Sequence, residues 1–511
     1  MKILSAIYRI PYQNLVGDVG FYTYQQVYPF YAFALVLSTY GFPVIISKLL
    51  AEQKEKRSGY SRSEILFVGW FSLSIVGITL FSLLFFGANN IAHFLNDPSL
   101  EKSIKIIAFT FLFLPVASIF KGLFQSEGEM VPTAISQVTE QTVRVGFILI
   151  FAFIFYLYNT NVYAVAEGAF LGSVIGSAVG SIVLIISYIV KKQKFQRTFD
   201  YIQLRKNGIA ISKDILWQGF LFSFSSLILV FIQFMDTAVL YPILSKMEIQ
   251  EQAKALKGIY DRGQPLIQLG TTATIALSLT IVPLISKFRE QNDFERVEKY
   301  SELALRLSLV MGTAAAIGLF WVMEPTNIVL FTDKEGSAAL SVLALSIFFC
   351  SLLMTGIFLI QSMGRQLVSI VIIGFGLLIK FILMVYLVPK LGIMGAAIST
   401  TGAFLVMVIL LILYVRRIYD KSIIKVDSVI LIVQAAATMS VALFILHLLF
   451  KMFNGYFGEA RLLVTIQLFI SIGTGAFIYI SMIIRRGLFT IEELALLPFG
   501  SKLAKFLPKD R

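Results

Sequence analysis

Apolar runs long enough to cross a bilayer recur thirteen times along this chain of 511 residues. They lie at roughly 22–47, 65–88, 105–121, 133–158, 162–190, 215–240, 264–286, 307–323, 337–363, 367–388, 391–415, 428–450 and 462–484. A transmembrane helix needs about 20 predominantly apolar residues. The runs 65–88 and 462–484 contain no charged residue at all. Lipid offers no water to loose backbone groups, so such runs must be helical. The composition agrees: 14% of residues are charged, against about 25% in soluble proteins. A short first segment, Ile3 to Ile10 ahead of Pro11 and Gly17, is too short to span. Either the start codon is misassigned and half of helix 1 is missing, or helix 1 is truncated. With it the expectation is an all-α polytopic protein of about fourteen transmembrane helices.

The net charge of +13 would suit nucleic acid, but the cations sit between apolar runs, where the positive-inside rule places them. No nucleic-acid partner is expected. The connections after even-numbered helices and the C-terminal tail hold 28 Lys and Arg, and the alternate connections hold 10. Both termini are therefore expected in the cytoplasm. The one cysteine, Cys350, lies in an apolar run and excludes a disulfide within the chain.

Short matches recur six helices apart. Gln125-Ser126-Glu127-Gly128 answers Gln361-Ser362-Met363-Gly364, Ser47-Lys48 after Pro43 answers Ser286-Lys287 after Pro283, and Gly168-Ala169 answers Gly395-Ala396. They predict two six-helix lobes in parallel pseudo-twofold repeat plus two extra C-terminal helices. The expected divisions are an N-lobe at 1–190, a basic linker at 191–214, a C-lobe at 215–415, helices 13 and 14 at 416–486 and a tail at 487–511. The Lys- and Leu-containing stretch 502–507 has the mixture of a segment lying on the membrane surface.

No phosphate-binding loop, nucleophile elbow or metal-spaced His/Cys/carboxylate cluster is present. No cofactor or metal is expected. The connections are too short for a catalytic domain, so the chain reads as a transporter, not an enzyme. Gly168, Gly172, Gly176 and Gly180 repeat every four residues and leave a smooth face for another helix. Pro29, Pro43, Pro265 and Pro283 bend or break their spans and are the candidate hinge or gating positions.

Charges within spans are costly in hydrocarbon, so they face the protein interior or water. Arg9, Arg144, Arg262 and Lys380, with Lys2, are the candidate substrate-binding cations. Guanidinium groups grip phosphate in bidentate fashion. Arg9 and Arg262 would hold a diphosphate if they line one hollow. Asp236, Glu167, Glu140 and Asp261 are the candidate ion-coupling acids; Glu140 and Arg144, four residues apart, have the spacing of an ion pair. Lys121 is a further charge within a span.

The opening Lys2 to Gly17, Tyr24-Gln-Gln-Val-Tyr-Pro29, Tyr40 to Lys48, Tyr260-Asp-Arg-Gly-Gln-Pro265 and Gly392 to Ala397 resemble SpoVB/YabM-type polysaccharide biosynthesis proteins. They are similar to MurJ-like flippases of the multidrug/oligosaccharidyl-lipid/polysaccharide exporter superfamily. The likeness runs nearly the whole chain. It implies fourteen helices in two lobes around a V-shaped cavity, in a bacterial plasma membrane. It implies alternating-access transport of undecaprenyl-pyrophosphate-linked saccharides, by a monomer, with Na+ or H+ as coupling cation and membrane lipids around it. The alternative within the superfamily is a cation-coupled multidrug antiporter. The family's cavity arginines in helices 1, 2 and 8 match Lys2 and Arg9 and then Arg262. No arginine stands at Leu35 to Tyr40, which leaves room for a saccharide other than lipid II. The family's first helix starts about a dozen residues earlier, in keeping with the truncated start.

Overall fold

The computed structural model describes every residue except 1–4, 6, 56–58, 159–160, 192–200, 420–424, 459, 491–492 and 494–511. Lys2 and the stretch 502–507 therefore lie outside the described residues. The chain divides into two compact units, Ile3–Gly258 and Ile259–Arg511. The first holds α1 (Arg9–Val36), α2 (Phe42–Lys54), α3 (Arg62–Phe94), α4 (Glu101–Ala108), α5 (Leu114–Ser126), α6 (Met130–Tyr158), α7 (Val162–Val190), α8 (Tyr201–Ser226), α9 (Ile228–Met235), α10 (Tyr241–Met247) and most of α11 (Gln250–Asp261). The second holds α12 (Gly263–Glu290), α13 (Phe294–Phe331), α14 (Ser337–Ala344), α15 (Ser346–Ser362), α16 (Gln366–Leu391), α17 (Ile393–Tyr419), α18 (Val426–Phe457) and α19 (Arg461–Arg485).

Among the described residues there is no strand, and twelve segments are long and apolar enough to cross a membrane. The expected count of fourteen is thus approximate. The expected run 264–286 falls in α12, which is not among the twelve. The first two expected helices follow one another across a kink at Gly17, whose φ of 70° is not helical. Large apolar side chains such as Phe86, Ile189 and Phe477 stand exposed on the outer faces, as lipid-facing positions should.

The glycine stripe packs α7 against α6. A Cβ at Gly172 would lie 2.3 Å from Phe147 Cβ, and one at Gly176 would lie 2.8 Å from the Glu140 carbonyl. Only glycine permits that approach. The repeated Gln-Ser-x-Gly turns are also built alike. Gly128 and Gly364 take positive φ, at 76° and 72°. In each turn the next amide reaches back five residues, Glu129 to Phe124 O and Arg365 to Ile360 O. This is the glycine-terminated helix end expected of such a sequence.

Proline acts differently from the expectation at several positions. Pro29 sits inside α1 without interrupting it, the break in that helix lying at Gly17 instead, and the backbone of α12 is helical through position 283. Pro43 follows a π-helical turn, Leu37–Gly41. Pro242, which sequence reasoning passed over, follows a second one, Asp236–Leu240. A proline ring clashes with the carbonyl four residues back, and widening the turn relieves it. Pro265 is the third residue of α12, where the missing amide costs no helical bond.

The units do not part at 191–214. Residues 201–214 of that stretch are helical and belong to α8, which packs on the first unit. A Cβ at Gly41 would overlap Ser223 Oγ, a Cβ at Gly219 would lie 2.5 Å from the Phe42 ring, and Ser72 donates to Ser212 at 2.9 Å. Close packing against the π turn carries 215–258, expected in the C-lobe, into the first unit.

Candidate functional site: a buried arginine–tyrosine cluster

In the first unit α1 and α6 bring two arginines into one aromatic nest. Arg9 and Arg144 are 1% and 0% exposed. The Arg9 guanidinium lies 4.2 Å from the Tyr28 ring centre. Arg144 lies 4.5 Å from Tyr31, 5.1 Å from Tyr8 and 5.9 Å from Tyr28. These are cation–π distances. Arg144 Nη2 donates to the Tyr8 hydroxyl at 2.7 Å, and that hydroxyl shares a 2.7 Å hydrogen bond with Tyr24. All three nitrogens of Arg9, and Nε and Nη1 of Arg144, make no hydrogen bond of good geometry to the described residues, although the Tyr8 hydroxyl lies near Arg9 and the Tyr31 hydroxyl near Arg144. Neither guanidinium has a carboxylate within ion-pairing distance among the described residues. Burying a charge without an ion partner is expensive, and ring faces offset only part of it. Two buried guanidinium groups thus share the ring of Tyr28, with part of their donor capacity not used by the described residues.

Sequence reasoning missed the tyrosines. Tyr24, Tyr28 and Tyr31 are spaced i, i+4, i+7, so their shared helix face was readable. That it meets Arg144, more than a hundred residues away, was not.

The expected Glu140–Arg144 ion pair is corrected. Tyr31 stands between them: its hydroxyl donates to Glu140 Oε1 at 3.3 Å while its ring carries Arg144. Ser177 also donates to Glu140, at 3.3 Å. Lys121 is 1% exposed and donates to Thr39 in the π turn at 3.3 Å.

The other predicted residues scatter. Asp236 is buried at the start of the second π turn. Gln26 donates to the neighbouring Thr237 carbonyl at 2.9 Å. Glu167 is only half-buried near the start of α7, contrary to its expected place among buried acids. In the second unit Asp261 and Lys380 are buried. Arg262 is buried too, but it is not the uncommitted cation expected. Its two terminal nitrogens grip both Asp333 oxygens at 2.7 and 2.8 Å. This closes the C-terminal end of α13.

The second unit also holds a groove between α13, α18 and α19. An apolar cavity of about 440 Å³, lined by Gly318, Leu319, Leu468 and Tyr479 among others, shares Val322, Leu443 and Ser471 with a second of about 440 Å³. The second carries Glu324, Lys334, His447 and Lys451.

A multi-span helical body with charges buried inside its spans is the build of a membrane transporter. Residues 1–289 match the family model described as polysaccharide biosynthesis protein, and the chain belongs to that family. It is 39% identical to the membrane protein YabM of Bacillus subtilis (strain 168), over 99% of this chain and 94% of that one. It is 22% identical to the lipid II flippase MurJ of the same organism, over 94% of this chain and 92% of that one. Among solved structures, a lipid II flippase MurJ in an inward closed conformation superposes with a TM-score of 0.69 at 16% identity. That match covers 93% of this chain and 95% of the other.

Proposed function

We propose that this protein carries a lipid-linked saccharide, joined to its polyprenyl chain by a diphosphate, across the bacterial plasma membrane by alternating access, without catalysing a covalent step. The observation that carries the reading is the pair of buried arginines, Arg9 and Arg144, whose donor capacity the described residues use only in part. A diphosphate supplies oxygens in the geometry guanidinium forks accept. The apolar groove of α13, α18 and α19 suits the polyprenyl tail. The kinship to a protein named lipid II flippase agrees. The Lys and Arg distribution supports cytoplasmic termini, and nothing in the reading needs more than a monomer.

The multidrug antiporter reading finds less support. A pocket for cationic drugs needs an excess of carboxylates, and this cluster is cationic. The test is reconstitution of the full chain in liposomes with fluorescent lipid-linked saccharides of different sugars. The expected result is accelerated appearance of one of them in the opposite leaflet. Replacing Arg9 or Arg144 by Lys keeps the charge and loses the fork. One charge-assisted bond is worth about 1.5–3 kcal/mol, so transport should fall about ten- to hundredfold. Full transport in both variants, or export of a cationic dye with no lipid movement, overturns the reading.

A further inference from the structure

We propose that the polar end of the groove between α13, α18 and α19 binds one anionic glycerophospholipid, its phosphate on Lys334 and Lys451 and its glycerol head on Glu324. The site is made of second-unit residues alone and does not rest on the diphosphate reading; only its competition with the polyprenyl tail does.

The charged cavity lies where three helices end together. α13 ends at Phe331, α18 ends at Phe457 and α19 begins at Arg461. The ends of spans lie at the depth of lipid headgroups. Trp321, with its ring 5.5 Å from Phe444, lines the cavity and is a residue type typical of that depth. The adjoining apolar cavity follows the same three helices toward their middles, past Gly318 and Leu468. A charged pocket that opens into an apolar one has the build to hold an amphiphile.

The walls are tied in place. Asn454 donates to Gln467 Oε1 at 3.2 Å, and Gln467 donates back to Asn454 Oδ1 at 2.7 Å. Arg461 donates to the Val329 carbonyl at 2.7 Å, joining the start of α19 to the end of α13. Lys334 follows Asp333, which Arg262 grips, and Asn327 holds the same turn through the Glu335 carbonyl at 2.7 Å. Walls ordered in advance lower the cost of binding.

The charges select the head. His447 and Lys451 are one turn apart on α18 and share a face. With Lys334 they offer N–H donors to phosphate oxygens. The α13 wall offers acceptors instead. No ion pair joins Glu324 to another described residue. Beside it Pro325 lacks the amide that would bond the Trp321 carbonyl. Two ammonium groups and one carboxylate leave one positive charge. A zwitterionic phosphoethanolamine head does not cancel it, and a diphosphate brings at least two negative charges beside Glu324, which repels them. A single phosphate followed by hydroxyls fits both walls. The acyl chain of such a lipid fills the apolar cavity assigned above to the polyprenyl tail, so the two exclude each other.

Native mass spectrometry of the full chain in detergent, titrated with phosphatidylglycerol, phosphatidylethanolamine and phosphatidylmethanol of equal chains, tests this. The expected result is one phosphatidylglycerol held about tenfold more tightly than phosphatidylethanolamine. It should also be held severalfold more tightly than phosphatidylmethanol, which has the phosphate without the hydroxyls. Lys334→Gln/Lys451→Gln should abolish the first preference and Glu324→Gln the second. Lys102→Gln/Lys299→Gln, at two exposed lysines outside the groove, should change neither. Gly318→Phe fills the apolar cavity from a position where a Cβ meets nothing within 4 Å, and should weaken all three lipids at an unchanged unfolding temperature. Equal retention of the three lipids, tighter hold on phosphatidylethanolamine, or a preference that survives Lys334→Gln/Lys451→Gln overturns the headgroup site. Undecaprenyl diphosphate should displace bound phosphatidylglycerol. Phosphatidylglycerol retained at saturating undecaprenyl diphosphate overturns the competition and the tail's place in the groove, and leaves the headgroup site standing.

Discussion

At the scale of single residues, the three buried arginines of the spans and their mouths do different work. Arg144 and Arg9 rest on tyrosine faces with part of their donors unspent, whereas Arg262 spends its fork on Asp333. Their variants should therefore fail differently. Arg262→Ala leaves Asp333 without its partner at the end of α13. Breaking a buried pair costs about 3–5 kcal/mol, and the 37% exposure of the Asp333 side chain lets water recover part of that. The expected outcome is a lowered thermal unfolding temperature in detergent, partly restored in the Arg262→Ala/Asp333→Ala double variant. An unchanged unfolding temperature with lost pyrophosphate binding would instead make Arg262 a substrate ligand. The sequence marked all three arginines because charge within an apolar run is conspicuous. It did not disclose their partners. Asp333 is 71 residues from Arg262, and Tyr8 is 136 from Arg144. Those distances close only when the helices pack. The spacing of Glu140 and Arg144 misled for the same reason: a third side chain, Tyr31 from α1, took the place between them.

At the scale of elements, the α6–α7 pair sets the height at which Glu140 and Arg144 enter the cluster. The four-residue glycine period was legible because a stripe without side chains has one physical use in lipid, close helix approach. The partner helix was not legible, nor was the fact that Gly176 faces a backbone carbonyl. That detail makes a prediction. Gly176→Ala places a Cβ against the Glu140 carbonyl, which cannot swing aside as a flexible side chain would. Overpacking of this kind costs about 1–3 kcal/mol. Gly146→Ala on α6, where a Cβ meets nothing within 4 Å, should be neutral or stabilising by about 0.5–1 kcal/mol. Thermal unfolding of the two purified variants gives the comparison; equal behaviour would mean the helices separate at no cost. The π turns were half legible. Pro43 announced a distortion, but proline alone does not say whether a helix will kink, stop or widen. Widening prevailed here, where the turn packs tightly on α8.

For the whole molecule, the repeat was readable in three short matches, but the division into units was not. A basic stretch at 191–214 looks like a linker by composition, whereas packing decides where a body ends, and packing carries α8 to α10 into the first unit. The division falls inside α11 instead. The first nine residues of that helix belong to the first unit, held there in two ways. Lys254 donates to Tyr163 at 2.7 Å and lies 3.6 Å from Asp97, whose carboxylate also takes the Tyr22 and Tyr163 hydroxyls at 3.1 and 2.8 Å. Gly258 also permits close approach to the backbone of Asp18, where a Cβ would lie 2.2 Å from its carbonyl. The polar hold lies largely out of water, so it should count for more than a surface ion pair, whose worth is about 0–1 kcal/mol. Lys254→Met keeps the aliphatic stem and removes the charge, and should raise amide hydrogen exchange across 250–258 by about tenfold, the equivalent of about 1.4 kcal/mol. Asp97→Asn, which still accepts from both tyrosines, should raise it less. If Lys254→Met leaves exchange in 250–258 unaltered, the backbone approach at Gly258 alone fastens the helix. Gly258→Val is then the variant that must release it.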